Sequence, residues 1–181
     1  MISLRKLIAM MTLGLNALSV SAYECKTSIE PTTPEEHFLS NKDGTVTDLR
    51  YGLQWQICTF GQVYDPADGS CKGEQKQFPT WSEAILSQDQ INGDKAQGFS
   101  DWRLPSIKEL QSIVERKCRN PAINTKVFIG TSNGVYWSNT PDNSVNIELK
   151  GRVIDFSDGV EFYRSTAPTK YVRHVRVIKQ N

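Results

Sequence analysis

The sequence predicts a single α+β domain in which two helices lie between groups of short antiparallel strands. Apolar residues alternate as in strands near Leu53 and again beyond Gly134, and two helix-start motifs stand between these regions. The length of 181 residues suits one domain, and the 38% hydrophobic and 23% charged composition excludes disordered and collagen-like classes. The net charge of +1 argues against a nucleic-acid binder, which needs a surplus of cations to neutralise phosphates.

The first segment, Met1–Ala22, has the features of a secretory signal peptide. Arg5 and Lys6 give it a positive start, an apolar run follows to Leu18, and the small residue Ala22 ends it. The apolar run is shorter than the ~20 residues that a helix needs to cross a bilayer. We therefore expect cleavage after Ala22, which would leave 159 residues with a net charge of −1 and no membrane span. This predicts an exported protein, located in the periplasm or at the cell surface.

The four cysteines are interpreted as two disulfides, because export places them in an oxidising compartment. Cys58 and Cys71 flank a loop rich in turn residues, which can bring its two ends together. We favour the pair Cys58–Cys71, which leaves Cys25–Cys118 to tie the start of the exported chain to the end of a helix. The other two pairings stay open at this point. A zinc site is disfavoured because the chain lacks a Cys-x-x-Cys motif and contains only two histidines.

The first elements are an irregular lead-in and a set of strands. Residues 23–36 are polar and contain two prolines, so we place the start of the domain at residue 37 and its end at residue 181. The turn Asp43-Gly44 predicts a hairpin. Beyond it, residues 53–57 alternate apolar and polar side chains, which predicts a half-buried strand.

Two amphipathic helices are predicted next, each from a capping box. In the first, Thr80 and Glu83 form the box, and Trp81, Ala84 and Ile85 are expected to face the core. In the second, Ser106 and Glu109 form the box. Its apolar stripe at helical spacing consists of Ile107, Leu110, Ile113 and Val114.

The last third of the chain returns to strand patterns separated by glycine and proline. The candidate strands are Val135–Trp137, Val145–Leu149, Arg152–Phe156, Val160–Tyr163 and Tyr171–Ile178. Asp158-Gly159 predicts a hairpin turn between two of them. We expect the terminal strands of the domain to meet.

The run Gly98–Leu110, with the sequence GFSDWRLPSIKEL, resembles the signature of the bacterial Lcl C-terminal domain family. Further matching pieces follow the same order, namely Asp43–Asp48, Gly52–Trp55, Asn120–Asn124, Tyr136–Ser138 and Tyr171–Arg173. The resemblance covers about residues 37–178. It implies a C-type-lectin-like fold, with two helices beside small antiparallel sheets, chain termini close together, and cysteines placed as in disulfide-bearing members.

The resemblance also implies a binding function. The best-understood member type is a bacterial surface adhesin whose lectin-like domain binds sulfated polysaccharides. We therefore expect an exported, non-enzymatic module that recognises a polysaccharide or another cell-surface ligand. The alternative is a protein-binding module, such as a periplasmic inhibitor, an immunity protein or a component of a surface appendage.

The candidate ligand residues lie beyond Trp137. They are Asn139, Asp142, Asn143, Asn146, Arg152 and Arg164. The triplet Trp137-Ser138-Asn139 partly resembles the Trp-Asn-Asp of calcium-dependent lectins, and oxygens of the residues Asp142, Asn143, Asn146 and Glu148 could contact calcium. The Glu-Pro-Asn and Gln-Pro-Asp triplets of those lectins are missing, so we predict no cofactor and keep calcium as an alternative.

Cations are dense near the C-terminus and could bind sulfate oxygens. They are Arg152, Arg164, Lys170, Arg173, Arg176 and Lys179. Arg173 and Arg176 have opposite parity on a strand and are expected to point to different faces. Ordinary surface charges and structural ion pairs are the simpler interpretation of this set.

The remaining chemistry-bearing residues are expected to be structural. Trp55, Trp81, Trp102 and Trp137 fall in apolar patterns or framework motifs, so core packing is favoured over sugar stacking. Asp101 and Arg103 are expected to pair around Trp102. The chain has no Gly-x-Ser-x-Gly and no His-Glu-x-x-His, and two disulfides would use every thiol, so we predict no enzymatic activity.

Overall fold

The computed structural model describes residues 22–142, 150–162 and 167–179. Within these stretches the chain is a mixed α+β structure with small antiparallel sheets and two α-helices, as the sequence predicts. None of the helices there is long and apolar enough to cross a membrane. The predicted signal segment up to Ser21 and the predicted strand Val145–Leu149 lie outside the described residues.

The elements are numbered in chain order. The strands are β1 (Glu24–Cys25), β2 (Phe38–Ser40), β3 (Thr45–Asp48), β4 (Leu53–Gln56), β5 (Val63–Asp65), β6 (Ser70–Lys72), β7 (Cys118–Arg119), β8 (Val135–Pro141), β9 (Gly151–Asp155), β10 (Val160–Phe162) and β11 (Val175–Val177). The α-helices are α1 (Trp81–Gly93) and α2 (Ile107–Ser112).

A four-stranded antiparallel sheet has the order β11-β4-β3-β2. The predicted hairpin at Asp43-Gly44 joins β2 to β3, with Gly44 in the left-handed region at φ +91°. The C-terminal strand β11 pairs with β4, so the terminal strands β11 and β2 share this sheet but lie at its opposite edges and do not pair as predicted. The prediction of a half-buried β4 is wrong, because all four of its residues are buried. The strand β4 is central in its sheet, with β3 on one edge and β11 on the other. Its two faces are both covered, so Gln54 and Gln56 on the polar face are buried as well as Trp55 on the apolar face.

A three-stranded sheet, in the order β10-β9-β8, separates two hydrophobic cores. Ile154 packs into the first core together with Leu110 of α2, whereas Val153 packs into the second core with Ala84 of α1. Adjacent residues of a strand point to opposite faces, so β9 is buried on both sides. The predicted Asp158-Gly159 turn joins β9 to β10.

Both helix starts agree with the predicted caps. The Thr80 hydroxyl accepts the N–H of Glu83 at 3.2 Å, and α1 begins at the next residue. At α2 the box is complete, since the Ser106 hydroxyl accepts the Glu109 N–H and the Glu109 carboxylate accepts the Ser106 N–H at 2.6 Å. The four residues of the predicted apolar stripe are all buried, although the helix itself ends at Ser112.

The two disulfides are Cys25–Cys118 and Cys58–Cys71, as predicted. One detail of the prediction is wrong, because Cys118 lies in β7, beyond the end of α2, and pairs with β1 in a two-stranded ribbon. The lead-in is therefore not irregular throughout. Its first strand is joined to the domain both by hydrogen bonds and by a covalent bond.

Candidate ligand-binding site

The predicted ligand residues fall at one end of the three-stranded sheet, where β8 ends and β9 begins. Asn139 is exposed there, whereas Asp142 is buried and Arg152 is half-buried. The other predicted ligand residues lie outside the described residues. They are Asn143, Asn146 and Arg164, together with the calcium candidate Glu148.

Arg152 is engaged in a network between elements. Its guanidinium forms an ion pair with Glu161 of β10, and the same carboxylate accepts a hydrogen bond from Gln111 of α2. The side chains of Arg152 and Glu161 are only 25% and 17% exposed. Arg152 therefore links the sheet to α2, which limits its use for a ligand.

Arg173, expected among the surface cations, lies in the interior. Its guanidinium is fully buried and donates to the backbone carbonyls of Gln56 and Ile57 and to the Thr131 hydroxyl at 2.7 Å. Phe128 lies under it, with 5.2 Å between Cζ and the ring centroid. Burial lowers the pKa of Arg173 to about 10. The expectation that this side chain stands on a surface is wrong, because the end of β4 needs its donors.

Arg176 is also buried, in a pair that corrects a second expectation. Its Nε donates to Asp101 Oδ1 at 2.6 Å, and its Cζ lies 3.8 Å from the centroid of the Phe99 ring. The guanidinium lowers the pKa of the Asp101 carboxyl, although partial burial opposes this. Asp101 therefore does not pair with Arg103, which instead binds Glu109 at 2.7 Å.

Lys170 is the third predicted surface cation that the structure buries. Its Nζ donates to the Ala167 carbonyl at 2.7 Å and lies 4.5 Å from the centroid of the Trp137 ring. Burial lowers the pKa of Lys170. The predicted sulfate-binding set therefore does not form a surface within the part of the chain that the structure describes.

The tryptophans pack as predicted. Trp55, Trp102 and Trp137 are buried. Trp81 is half-buried, and its indole N–H donates to the Ser138 carbonyl at 2.7 Å. Stacking on a sugar ring needs an exposed aromatic face, so these four side chains do not provide a platform.

A serine–histidine contact lies at the base of a cleft of about 320 Å³ beside α1. Ser87 Oγ is 2.9 Å from His174 Nε2 and donates its own proton to the Ala84 carbonyl at 2.6 Å, so the imidazole must donate rather than accept here. Burial lowers the pKa of His174 to about 3. A general base needs a pKa near the working pH, so this contact fits a structural role.

A deep cleft lies beside the Cys25–Cys118 disulfide, and we name it the disulfide cleft. Its volume is about 550 Å³, and its walls are the lead-in and the segment that follows α2. The side chains that define it include Tyr23, Pro31, Pro34, Glu35, Glu36, Lys117, Asn124, Thr125 and Lys126. This cleft is not among the sites predicted from the sequence. Its signals were the two prolines and a tyrosine in a lead-in that a long-range disulfide anchors.

Glu115 holds the two walls of the disulfide cleft together. Its Oε2 accepts the Thr33 N–H at 2.8 Å and the Thr33 hydroxyl at 2.9 Å, and its Oε1 accepts the Thr32 N–H at 3.0 Å. Burial disfavours the charged carboxylate, but the backbone N–H groups of Thr32, Thr33 and Lys117 outweigh it and lower the pKa of Glu115. The lead-in is thereby fixed in place.

The disulfide cleft offers several kinds of contact to a ligand. Tyr23 is 47% exposed and presents a ring, and Thr125 presents a hydroxyl. Lys126 pairs with Glu35 at 2.7 Å in solvent, a contact that is readily exchanged. Glu36 forms no ion pair with any described residue. The mixture of ring, hydroxyl, cation and carboxylate suits a polar organic ligand rather than a purely apolar one.

Exposed cations surround the ribbon of β1 and β7 next to this cleft. Lys26 lies beside Lys117, since its N–H donates to the Lys117 carbonyl at 2.8 Å. Arg116 and Arg119 are exposed, and Glu24 is the cross-strand neighbour of Arg119. Among the described residues, Lys26, Arg116 and Lys117 form no ion pair. The edge of the cleft therefore carries a local positive surplus.

No group of three or more His, Cys, Asp or Glu side chains is placed to hold a metal ion in the described stretches. Three of the four calcium candidates lie outside them. The calcium alternative therefore stays a prediction that involves residues outside the described stretches.

Comparison with known proteins gives one positive result. No curated protein and no solved structure matches the chain. The family model of the Lcl C-terminal domain matches residues 44–176, which is most of the chain. The matched region runs from the first hairpin to β11 and contains both helices and the signature Gly98–Leu110. The chain belongs to the Lcl C-terminal domain family.

Proposed function

We propose that the protein is an exported, non-enzymatic binding module that recognises a polysaccharide or a similar cell-surface ligand in the disulfide cleft. The observation that carries the proposal is the cleft itself, a volume of about 550 Å³ with one exposed aromatic ring and charged and hydroxyl groups around it. Sugars are bound through this combination of an apolar face and several hydrogen bonds.

The contacts can be assigned by chemistry. The exposed ring of Tyr23 would stack on the apolar face of a sugar, and Thr125 and Glu36 would bind its hydroxyl groups. Lys117 and Arg116 at the edge would bind sulfate or carboxylate substituents further along the polymer. The near-neutral charge of the whole chain makes this a local contact rather than general attraction to polyanions.

Further observations support a lectin-like module in an oxidising compartment. The two disulfides are the pattern expected of exported proteins. Two helices beside small antiparallel sheets, with β11 paired to an N-terminal strand, fit the C-type-lectin-like fold that family membership implies. A rigid frame of this kind can carry binding residues on its loops.

Binding to a glycan array and to a heparin column, at physiological salt and with both disulfides formed, tests the proposal. Tyr23→Ser should weaken glycan binding about tenfold, equal to ~1.4 kcal/mol, while Tyr23→Phe should retain most of it because the ring remains. Lys117→Gln should weaken binding to sulfated glycans in particular. The matched control is Tyr51→Ser, because Tyr51 is 59% exposed and lies outside the cleft.

The proposal fails if the folded, oxidised protein binds no glycan on either support. It also fails if Tyr51→Ser reduces glycan binding as much as Tyr23→Ser does, because the cleft would then not be the site.

A protein-binding module is the second candidate, and β10, which is an edge strand within the described residues, favours it. Val160 and Phe162 are 44% and 38% exposed, and they stand two residues apart on the same face of this strand. An edge strand with apolar side chains can accept a strand from a partner. Co-purification of a stoichiometric protein from the native envelope, lost in Phe162→Ser, would favour this function over glycan binding.

A further inference from the structure

Exposed apolar side chains gather at the end of the four-stranded sheet. Leu49 and Tyr51 stand in the turn between β3 and β4 and are 60% and 59% exposed. Val177 of β11 is 53% exposed and is the register partner of Leu53, so it lies at the same end. We name Leu49, Tyr51 and Val177 the apolar corner. A soluble surface gains nothing from grouping such side chains, so the cluster indicates a contact.

The ring of Tyr51 is fixed by a charge beneath it. Arg50 lies between two rings, with its Cζ 5.0 Å from the Tyr51 centroid and 5.3 Å from the Phe38 centroid. The guanidinium is held in turn by Asp48 at 2.9 Å and by the Ser112 carbonyl at 3.1 Å. The cation under the ring favours this orientation of Tyr51 and so lowers the cost of ordering it when a partner binds.

Acidic side chains around the apolar corner are already neutralised by arginine. The three pairs are Asp48 with Arg50, Glu109 with Arg103, and Asp101 with Arg176. Lys108 and Lys179 are exposed and form no ion pair with the described residues. Arg176 and, more weakly, Lys179 lower the pKa of Asp101, so one carboxylate faces two cations there. This end of the molecule therefore keeps a surplus of positive charge beside its apolar side chains.

A small cleft adjoins the corner on the side of α2. It has a volume of about 360 Å³ and is lined by Tyr51, Leu53, Lys108, Glu109 and Ser112. The Ser112 hydroxyl donates to the Glu109 carbonyl at 2.7 Å, which leaves its oxygen able to accept. The cleft thus combines the exposed ring of Tyr51 with the cation of Lys108, and its one carboxylate, Glu109, is already paired with Arg103.

We propose that the apolar corner docks the protein onto an anionic lipid bilayer. Leu49, Tyr51 and Val177 enter the boundary between head groups and acyl chains, while Lys108 and Lys179 contact lipid phosphates. Tyrosine suits this depth because its ring is apolar and its hydroxyl is polar, and the lysine stems can lie along apolar surface. Charge complementarity selects this occupant, because apolar insertion and surplus lysine on one end match both components of an anionic bilayer.

Sedimentation with two kinds of lipid vesicle tests the docking. One kind contains phosphatidylcholine with phosphatidylglycerol, and the other contains phosphatidylcholine alone. The oxidised protein should bind the anionic vesicles, more weakly at high salt, and should not bind the neutral ones. The double variant Leu49→Ser, Tyr51→Ser should bind at least tenfold less.

A second double variant, Lys108→Gln and Lys179→Gln, tests the electrostatic part without altering packing. It should lower the partition coefficient roughly thirtyfold, since each lysine near an anionic surface contributes ~1 kcal/mol. The matched control is Val63→Ser, because Val63 is 70% exposed on another hairpin. Tyr23→Ser should bind vesicles as the unmodified protein does, which separates this surface from the proposed glycan site.

Three results would overturn the docking proposal. The first is equal binding to neutral and anionic vesicles, and the second is loss of binding in Val63→Ser to the extent seen at the corner. The third is a protein that ignores vesicles but binds soluble polyglutamate through Lys108 and Lys179, because the partner would then be an acidic protein segment. Glycan binding in the disulfide cleft would stand or fall separately.

Discussion

Arg173, His174 and Glu115 are ionisable side chains that the fold buries, and their hydrogen bonds decide the form in which each is kept. Arg173 remains a cation because backbone carbonyls and hydroxyls accept its donors. Glu115 remains an anion because N–H groups and hydroxyls surround its oxygens. His174 has a serine hydroxyl and an aromatic ring as neighbours, so it is kept neutral. Each of the three therefore links stability to a particular charge state.

His174 should make the protein less stable as the pH falls from 7 to 5. Its pKa is lowered to about 3 in the folded protein, so only the unfolded chain takes up a proton near its ordinary value of 6.5. The free energy of unfolding should fall with a slope approaching 1.4 kcal/mol per pH unit below about pH 6. Urea denaturation at several pH values measures this slope. In His174→Gln the slope over this range should be much smaller, and an unchanged slope would contradict the assignment.

Glu115→Gln should destabilise the protein by about 2 kcal/mol, because an amide nitrogen would face donors that now meet a carboxylate oxygen. The lowered pKa means that the carboxylate stabilises the fold above its unfolded value of about 4.5 and loses this effect as the pH falls through the lowered value. The difference between the variant and the unmodified protein should therefore shrink in acid.

Thermal or urea unfolding of Glu115→Gln measures this difference, with Glu74→Gln as the exposed control. Protease cleavage in the lead-in should also become faster, since Thr32 and Thr33 would lose their anchor. Equal stability of the two variants at pH 7 would show that the lead-in is held by other contacts.

At the scale of the elements, α1 and β9 meet where glycine leaves room for an indole. A Cβ placed on Gly151 would collide with the Trp81 ring, whose N–H donates to Ser138 of β8. The absence of a side chain at this position is therefore what lets the start of α1 lie against the sheet. The Trp81 ring thus connects α1 to the three-stranded sheet, by packing on Gly151 and by its hydrogen bond to Ser138.

Gly151→Ala should destabilise the protein by about 1–3 kcal/mol, because the ring of Trp81 must move and its hydrogen bond to Ser138 is lost. Gly93→Ala is the matched control, since nothing lies within 4 Å of a Cβ there and alanine is the better helix former. Urea denaturation followed by tryptophan fluorescence measures both variants. A neutral Gly151→Ala would mean that Trp81 shifts without cost.

The elements that local chemistry specifies were predictable from the sequence. The Ser106–Glu109 box, the Asp43-Gly44 hairpin and the Cys58–Cys71 loop each depend on residues close together in the chain. Burial of charge was not predictable in this way. Arg173 donates to the backbone carbonyl of Gln56, more than a hundred positions away, so no local sequence pattern could predict that its guanidinium is buried.

At the scale of the whole molecule, the candidate site also depends on contacts between distant segments, which local sequence patterns do not contain. The disulfide cleft exists because the lead-in crosses the segment after α2, and the pairing Cys25–Cys118 was the strongest signal of this crossing in the sequence. The predicted ligand residues Asn139 and Arg152 lie at a sheet end instead; the first was predicted from a partial likeness to the strand motif of calcium-dependent lectins and the second from the density of cations. The chemistry of a cleft depends on which distant segments form its walls.

The Cys25–Cys118 bond also determines how the molecule would respond to a pulling force. It joins positions 93 residues apart, and the second disulfide lies within the loop that it closes. Tension applied at the two ends would enter at Cys25, cross to Cys118 and bypass β2 to α2 altogether. Unfolding by force should then leave roughly 330 Å of chain unextended, at ~3.6 Å per residue, and reduction should release it. Single-molecule stretching with and without a reductant measures this length, and equal extensions would contradict it. When flow pulls on the two ends of the protein, β2, β3, β4 and both helices would remain inside the loop that the Cys25–Cys118 bond closes.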